Sequence, residues 1–202
     1  MAFMAVILSY LIGSISFGYI FARLFSSVDI RSLGSGSTGA TNISRLLGLK
    51  MGLVVLVLDV LKGFIAVFLG NLVLPGTAFP LLCGLVAIIG HNWPIFFGFR
   101  GGRGVATTLG VFLGFSPLPA LVVFCIFCII IALTRYVSLG SLTGSILIPV
   151  YMQIAAYPPD YFLIGLSICL LIVIRHASNI KKLINGTESK FGEKVDSVLT
   201  KR

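Results

Sequence analysis

Residues 2–22 read AFMAVILSYLIGSISFGYIFA, from Ala2 to Ala22, without one charged side chain. About 20 consecutive apolar residues cross the hydrocarbon core of a bilayer as a helix. Lipid offers no partners to backbone N–H and C=O groups, so such a stretch must bond them within itself. No Lys or Arg precedes Arg23, so the basic n-region of a signal peptide is missing. The stretch reads as a retained first transmembrane helix, roughly Phe3 to Phe25, with its N-terminus outside.

The rest of the chain has the same character. Of 202 residues, 57% are hydrophobic and 10% charged, against about 25% charged in a soluble domain. The mean hydropathy of +1.09 agrees. One membrane domain over residues 1–202 is expected, with 176–202 including a basic cytoplasmic C-terminal tail. Further spans are expected from Met51 to about Leu74, after which Pro75-Gly76 turns the chain, and from Phe79 to about Phe96. The uncharged run from Gly104 to Thr134 is broken at Ser116-Pro117-Leu118-Pro119 into a short fourth segment, half-buried against its neighbours, and a full fifth. A sixth runs from Tyr136 to Ala156 with a kink expected at Pro149. A seventh starts at Tyr161. Its apolar run ends at Ile174, short of a full span, so the helix is expected to continue through Arg175, His176 and Asn179. The fold class is an all-α integral membrane protein of about seven transmembrane helices.

The charges orient it. The 15 Lys and Arg outnumber the 6 Asp and Glu, for a net +9. Arg23, Arg31, Arg45 and Lys50 lie in or beside the first loop, Arg100 and Arg103 in the third, Arg135 in the fifth, and Arg175 onward in the tail. The even-numbered loops hold no Lys or Arg. The positive-inside rule puts the odd loops and the C-terminus in the cytoplasm. Lys181, Lys182, Lys190 and Lys194 of the tail suit anionic headgroups. Cys83, Cys125, Cys128 and Cys169 all fall in apolar segments. The CxxC of Cys125 and Cys128 has no His or carboxylate near it, and reads as packing in a lipid-facing run.

Topology control does not explain why glycines accompany the charges. The first loop reads GSGSTGATN, Gly34 to Asn42, then Ile43-Ser44-Arg45. Gly34, Gly36 and Gly39 form a GxGxxG, and a Walker A loop is nearly matched with Ala40 in place of the Lys. Neither has its βαβ context, so the nucleotide readings fail. The physics behind them survives. Glycines let backbone N–H groups converge on an anion, and the hydroxyls of Ser35, Ser37 and Thr41 add donors. Thr41 or Asn42 is expected to cap a short helix whose N-terminus favours negative charge. Arg45 follows one turn later, placed for a bidentate phosphate contact.

The third loop runs from Gly90 to Gly104 and sets Arg100 and Arg103 among Gly98, Gly101, Gly102 and Gly104. Trp93 and its Phe neighbours suit the membrane interface. His91 reads as a helix-end hydrogen-bonding residue. Asp59 and Lys62 share one face of the second span at i and i+3, which fits either a mutual salt bridge or a functional site. Snorkelling accounts for Arg175. It does not account for His176 and Asn179.

Four stretches together resemble the bacterial acyl-phosphate-dependent glycerol-3-phosphate acyltransferases. They are GSGSTGATN, GHNWPIFFGFRGGRGVAT (Gly90 to Thr107), RYVSLGS (Arg135 to Ser141) and RHASNIKKLINGTE (Arg175 to Glu188). The similarity extends from Gly13 to Glu188. It implies a multi-pass protein of the bacterial cell (inner) membrane with its active site on the cytoplasmic face. The implied reaction moves an acyl chain from acyl phosphate to the 1-hydroxyl of glycerol 3-phosphate. The products are 1-acylglycerol 3-phosphate (lysophosphatidic acid) and phosphate, in phospholipid biosynthesis. It also implies His176, Asn179 and Ser141 as catalytic residues. Implied for phosphate binding are Gly34, Ser35, Gly36, Ser37, Gly39, Thr41, Asn42, Arg45, Gly102 and Arg103, together with Lys62 and Glu188. Two positions depart from the family, which usually carries Asn at Ser37 and Lys at Arg103. Ser37 still donates with shorter reach, and Arg103 replaces a point charge with a planar fork.

No cofactor, metal, nucleic acid or obligate protein partner is expected; the partners are the two substrates and membrane lipid. Acyl phosphate is already activated, and no HxxxxD pattern stands at either histidine, since Phe96 follows His91 and Lys181 follows His176 by five. The base is His176 or a substrate phosphate, and which loop holds which phosphate stays open. A transporter or exchanger of phosphorylated solutes is the alternative reading.

Overall fold

The computed structural model describes residues 1–193; Lys194, counted above in the basic tail, lies outside the described residues. Among the described residues the chain forms ten α-helices: α1 (Ala2–Gly13), α2 (Phe17–Ser26), α3 (Ala40–Leu47), α4 (Leu49–Val73), α5 (Phe79–Asn92), α6 (Val105–Phe115), α7 (Pro117–Thr134), α8 (Val137–Ile154), α9 (Pro159–Arg175) and α10 (Ala177–Ile184). Five stretches are long and apolar enough to cross a membrane: Ala2–Ser26, Leu49–Val73, Phe79–Phe97, Pro117–Thr134 and Val137–Ile154. The bent pair α9–α10 makes a sixth. The short α6 packs chiefly on α4, burying Thr107, Thr108, Val111 and Phe112.

Small residues let these helices meet backbone to backbone. A Cβ at Gly63 would overlap the Thr107 carbonyl oxygen, and one at Gly110 would overlap that of Val60, which sets α4 against α6. Lipid tails are as apolar as Leu, so close packing of this kind is what holds helices together in a bilayer. A core of Val67, Leu81, Ile88, Val111, Ile168 and Ile172 lies between α4, α5, α6 and α9. A second cluster, Ala22, Ile30, Ile43 and Val55, pins the first loop onto α2 and α4. Pro149 sits inside α8.

Two expectations need correction. The first span is not one continuous helix, because it breaks at Ser14–Ser16 between α1 and α2. The break frees the Ile15 carbonyl, which accepts a hydrogen bond from Lys62 Nζ at 3.0 Å. Nor does the last span run straight through His176. α9 ends at Arg175, and α10 departs at 59°. His176 and Asn179 still share the first turn of α10, with the Asn179 N–H donating to the His176 carbonyl.

Candidate active site

The first loop is held by Asn42. Its side chain accepts from the Ser35 N–H at 3.3 Å and donates to the carbonyls of Ser37 (2.9 Å) and Leu33 (3.0 Å). A Cβ at Gly34, which sits at φ +54°, would collide with the Asn42 amide oxygen, so only glycine closes the loop this tightly. Neither Thr41 nor Asn42 caps the helix. Gly39 is the N-cap of α3, and both residues lie inside its first turn. This leaves Asn42, buried at 1% exposure, shaping the loop while Ser35, Ser37 and Thr41 border a cavity. Arg45 donates from one guanidinium nitrogen to the Ser189 carbonyl at 3.3 Å, and its buried Nε has no hydrogen-bond partner among the described residues. Burial pushes its pKa down from the ordinary arginine value, against the pull of Glu188 and Glu193.

The third loop is clamped from two sides. Its Gly101 and Gly102 N–H groups donate to the carbonyls of Asn92 and His91. A Cβ at Gly102 would run into the His91 ring. From the other side Arg175 donates to the Gly102 carbonyl at 2.7 and 3.1 Å and to that of Gly101 at 3.3 Å. Its guanidinium also lies 5.4 Å over the Trp93 ring. Arg175 therefore does not snorkel: it points inward and ties the third loop to the α9–α10 bend. The neighbours in sequence of these clamped residues, Arg103 and His176, both reach the cavity. Arg103 forms no ion pair among the described residues. Burial pushes its pKa down to about 10, with Glu188 opposing and Arg45 and Arg175 adding to the fall. It stays charged at neutral pH, with Glu188 as a nearby carboxylate but no direct ion pair among the described residues.

His176 Nδ1 lies 2.8 Å from the Ile172 carbonyl. A carbonyl only accepts, so Nδ1 carries the proton, and in the neutral ring Nε2 is left with its lone pair. Ser141 donates to the Val137 carbonyl at 2.9 Å, keeping its lone pairs for the cavity it lines. Glu188 accepts from Asn179 Nδ2 at 2.7 Å and from Ser138 Oγ at 2.9 Å. A carboxylate has no donor to offer a phosphate. At this site Glu188 instead joins α10 to α8 across the cavity rim, where the segment 188–191 also meets Arg45 and Arg135.

These groups border one cavity of about 200 Å³. Its polar end holds Ser35, Ser37, Thr41, Arg45, Arg103 and His176, with Asn42, Gly39, Ser141 and Glu188 beside them. From there it continues as a mostly apolar slot between α6, α7 and α8, past Leu109, Phe112, Val123 and Ile148 to Tyr151, with Thr108 and Ser145 as polar members of its lining. Gly34, Gly36, Gly102, Asn179 and Lys62 do not line it. The first four shape loops or hold neighbours. Lys62, at 2% exposure, is bonded to Ile15 and lies 2.8 Å from Asp59, which itself lines the cavity together with His91. Asp59 also lies 3.5 Å from His91 Nδ1.

The slot and Ser138 escape a reading of charged loops alone. A signal existed in α8, where Gly140, Gly144, Ser141 and Ser145 repeat small residues four apart, the mark of a close-packed membrane helix face.

Glycerol-3-phosphate acyltransferase is the family whose model matches residues 3–186. A glycerol-3-phosphate acyltransferase of Thermoanaerobacter sp. (strain X514) is 44% identical over 195 residues, covering 96% of this chain and 98% of the relative. One from Halalkalibacterium halodurans is 46% identical over 203 residues, 98% of each. Two crystal structures of PlsY (YgiH), an integral membrane glycerol 3-phosphate acyltransferase, have the same fold. The glycerol 3-phosphate form is 43% identical with a TM-score of 0.90, over 95% of this chain and 96% of that one. The lysophosphatidic acid form is 40% identical with a TM-score of 0.86, over 98% of both. A match over nearly the whole chain, in sequence and in fold, places this protein in the glycerol-3-phosphate acyltransferase family.

Proposed function

We propose that this protein transfers an acyl chain from acyl phosphate to the 1-hydroxyl of glycerol 3-phosphate, releasing phosphate and 1-acylglycerol 3-phosphate. The observation that carries the reading is a single cavity with a cation at one end that forms no direct ion pair among the described residues, and a mostly apolar slot at the other. An acylated phosphate has the same two-ended character. A transporter would need a polar path to both faces, whereas the lining of this cavity beyond its polar end is mostly apolar.

In the reaction the hydroxyl oxygen attacks the acyl carbonyl carbon, and the tetrahedral intermediate collapses by breaking the carbonyl–phosphate C–O bond. The hydroxyl proton goes to His176 Nε2 or to an oxygen of a substrate phosphate. Arg103 and Arg45 neutralise the phosphates, and the Ser35–Thr41 donors receive charge on the leaving group. Ser141 and His176 orient the acceptor so that its hydroxyl meets the carbonyl. Asn179 acts through Glu188, and Lys62 through Asp59 and the break at Ile15, as positioning residues.

The membrane arrangement belongs to the same proposal. Seven crossings follow if α6 and the bent α9–α10 pair each count as one, in a bacterial cell membrane with the N-terminus outside. The first and third loops, the α7–α8 turn at Arg135 and the tail join one another at the cavity's polar end. Their positive charge supports a cytoplasmic site. The test is acyl transfer to labelled glycerol 3-phosphate by the purified protein, with acyl phosphate, acyl-CoA and acyl carrier protein offered separately. Product from acyl phosphate alone is expected; product from a thioester donor alone would overturn the donor assignment.

A further inference from the structure

The slot has an end. α8 enters the cavity's polar end with Ser138 and Ser141, and Tyr151 lies ten residues beyond Ser141, about 15 Å further along the helix axis at 1.5 Å per residue. α7 runs antiparallel beside it, so that Phe127 faces Gly140, Val123 faces Gly144, and Pro119 and Ala120 come level with the far end. There the slot meets an aromatic wall. Tyr151 Oη lies 3.4 Å from Ser116 Oγ, which gives the phenol a polar partner at the far end of a mostly apolar slot. Behind it Tyr157 packs 5.9 Å from Tyr151, 5.6 Å from Phe115 and 5.7 Å from Tyr161. Tyr161 in turn packs 5.7 Å from Phe115. Four rings drawn from α6, α8, the α8–α9 turn and α9 close the slot together, so moving one requires repacking the others.

We propose that Tyr151, backed by this cluster, is the specificity-determining residue for acyl-chain length: the chain lies along the slot and its terminal methyl stops at the Tyr151–Ser116 pair. The inference rests on the acyl-transfer reading for the identity of the ligand, and on the slot alone for its length. Each methylene buried along the slot tightens binding by about fourfold. The gain ends where the wall begins. Gly144 bears on the same dimension. A Cβ there would come 3.3 Å from Val123 Cγ1 across the slot, so a larger side chain blocks the path nearer the polar end.

The experiment measures dissociation constants of the purified protein for a graded series of 1-acylglycerol 3-phosphates differing by two methylenes. Wild type, Tyr151→Ala and Gly144→Leu are compared at each length, so that partition into detergent cancels, and turnover with the matching acyl phosphates is measured in parallel. Affinity in the wild type is expected to rise with length and then level off. Tyr151→Ala moves the levelling point to longer chains, with about a tenfold gain or more for the first ligand beyond the wild-type limit. Gly144→Leu moves it to shorter ones. If Tyr151→Ala does not fold, the Gly144→Leu shift alone decides. Coincident length profiles in all folded variants would overturn the proposal, since the chain would then leave the slot sideways into lipid. A ruler that persists in binding while no acyl phosphate supports turnover would remove the acyltransferase reading and keep the length site.

Discussion

Two groups of charges lie inside this protein, and they are treated in opposite ways. Asp59 and Lys62 are each 2% exposed, 2.8 Å apart, with Ile15 and His91 completing their surroundings. Arg103 is half-buried at the cavity and forms no ion pair among the described residues. Desolvating a charge costs several kcal/mol, about as much as a well-placed partner returns. The paired set meets that cost from within the protein and serves to hold the first-span break against α4 and α5. In the proposed reaction, Arg103 leaves that cost standing until a substrate phosphate arrives. Charge inside a membrane protein therefore does not by itself mark a site; the proposed function puts the phosphates at the charge that lacks a direct ion pair.

The largest effect should come from breaking the paired set. Lys62→Met leaves buried Asp59 with only the His91 ring beside it and is expected to destabilise the fold by about 3–5 kcal/mol, read from unfolding in detergent. Asp59→Leu combined with Lys62→Met should recover most of that loss. A single Lys62→Met variant as stable as wild type would end the structural assignment of the pair.

A smaller effect is expected at the clamp that aims the unpaired set. Arg175→Lys trades a planar fork on two carbonyls for a point charge. The KM for glycerol 3-phosphate should rise about tenfold, equivalent to about 1.4 kcal/mol, with kcat changed less and the unfolding midpoint nearly unmoved. Lost stability with an unaltered KM would make Arg175 a packing residue only.

The smallest belongs to a second ion pair, at the surface. Arg31 forks onto Asp29 at 2.7 Å and also reaches the Phe97 carbonyl. Its hydrogen bonds lower the Asp29 pKa from 3.8 to about 2, against the opposing effect of burial. A lowered carboxylate stabilises the fold above its unfolded pKa, and that contribution fades as pH falls through about 2. Asp29→Asn should cost about 1 kcal/mol at neutral pH and nothing below about pH 2. A constant difference across that range would assign the loss to something other than ionisation.

Much of this was legible from residue order. The apolar runs gave the helical membrane class, and the glycine-rich loops located the polar end of the cavity. What escaped depends on partners distant in sequence. The break at Ser14–Ser16 is tolerated because Lys62, from another helix, takes up the freed Ile15 carbonyl. Arg175 resembles a snorkelling residue until the carbonyls of Gly101 and Gly102 arrive beside it. Tyr151 and Phe112 are ordinary membrane-helix residues in the sequence. They become slot walls only because α6, α7 and α8 enclose a cavity between them.

The distinction between paired and unpaired charge is tested most directly by thermal unfolding of wild type and Arg103→Met, each with and without glycerol 3-phosphate. A ligand at a hundred times its dissociation constant stabilises a protein by about 2.7 kcal/mol. Wild type should show that upward shift in Tm. Arg103→Met should be at least as stable as wild type without ligand, having lost a desolvated cation, and should gain little when ligand is added. Equal ligand-induced shifts in the two proteins, or an Arg103→Met variant as damaged as Lys62→Met, would contradict the account.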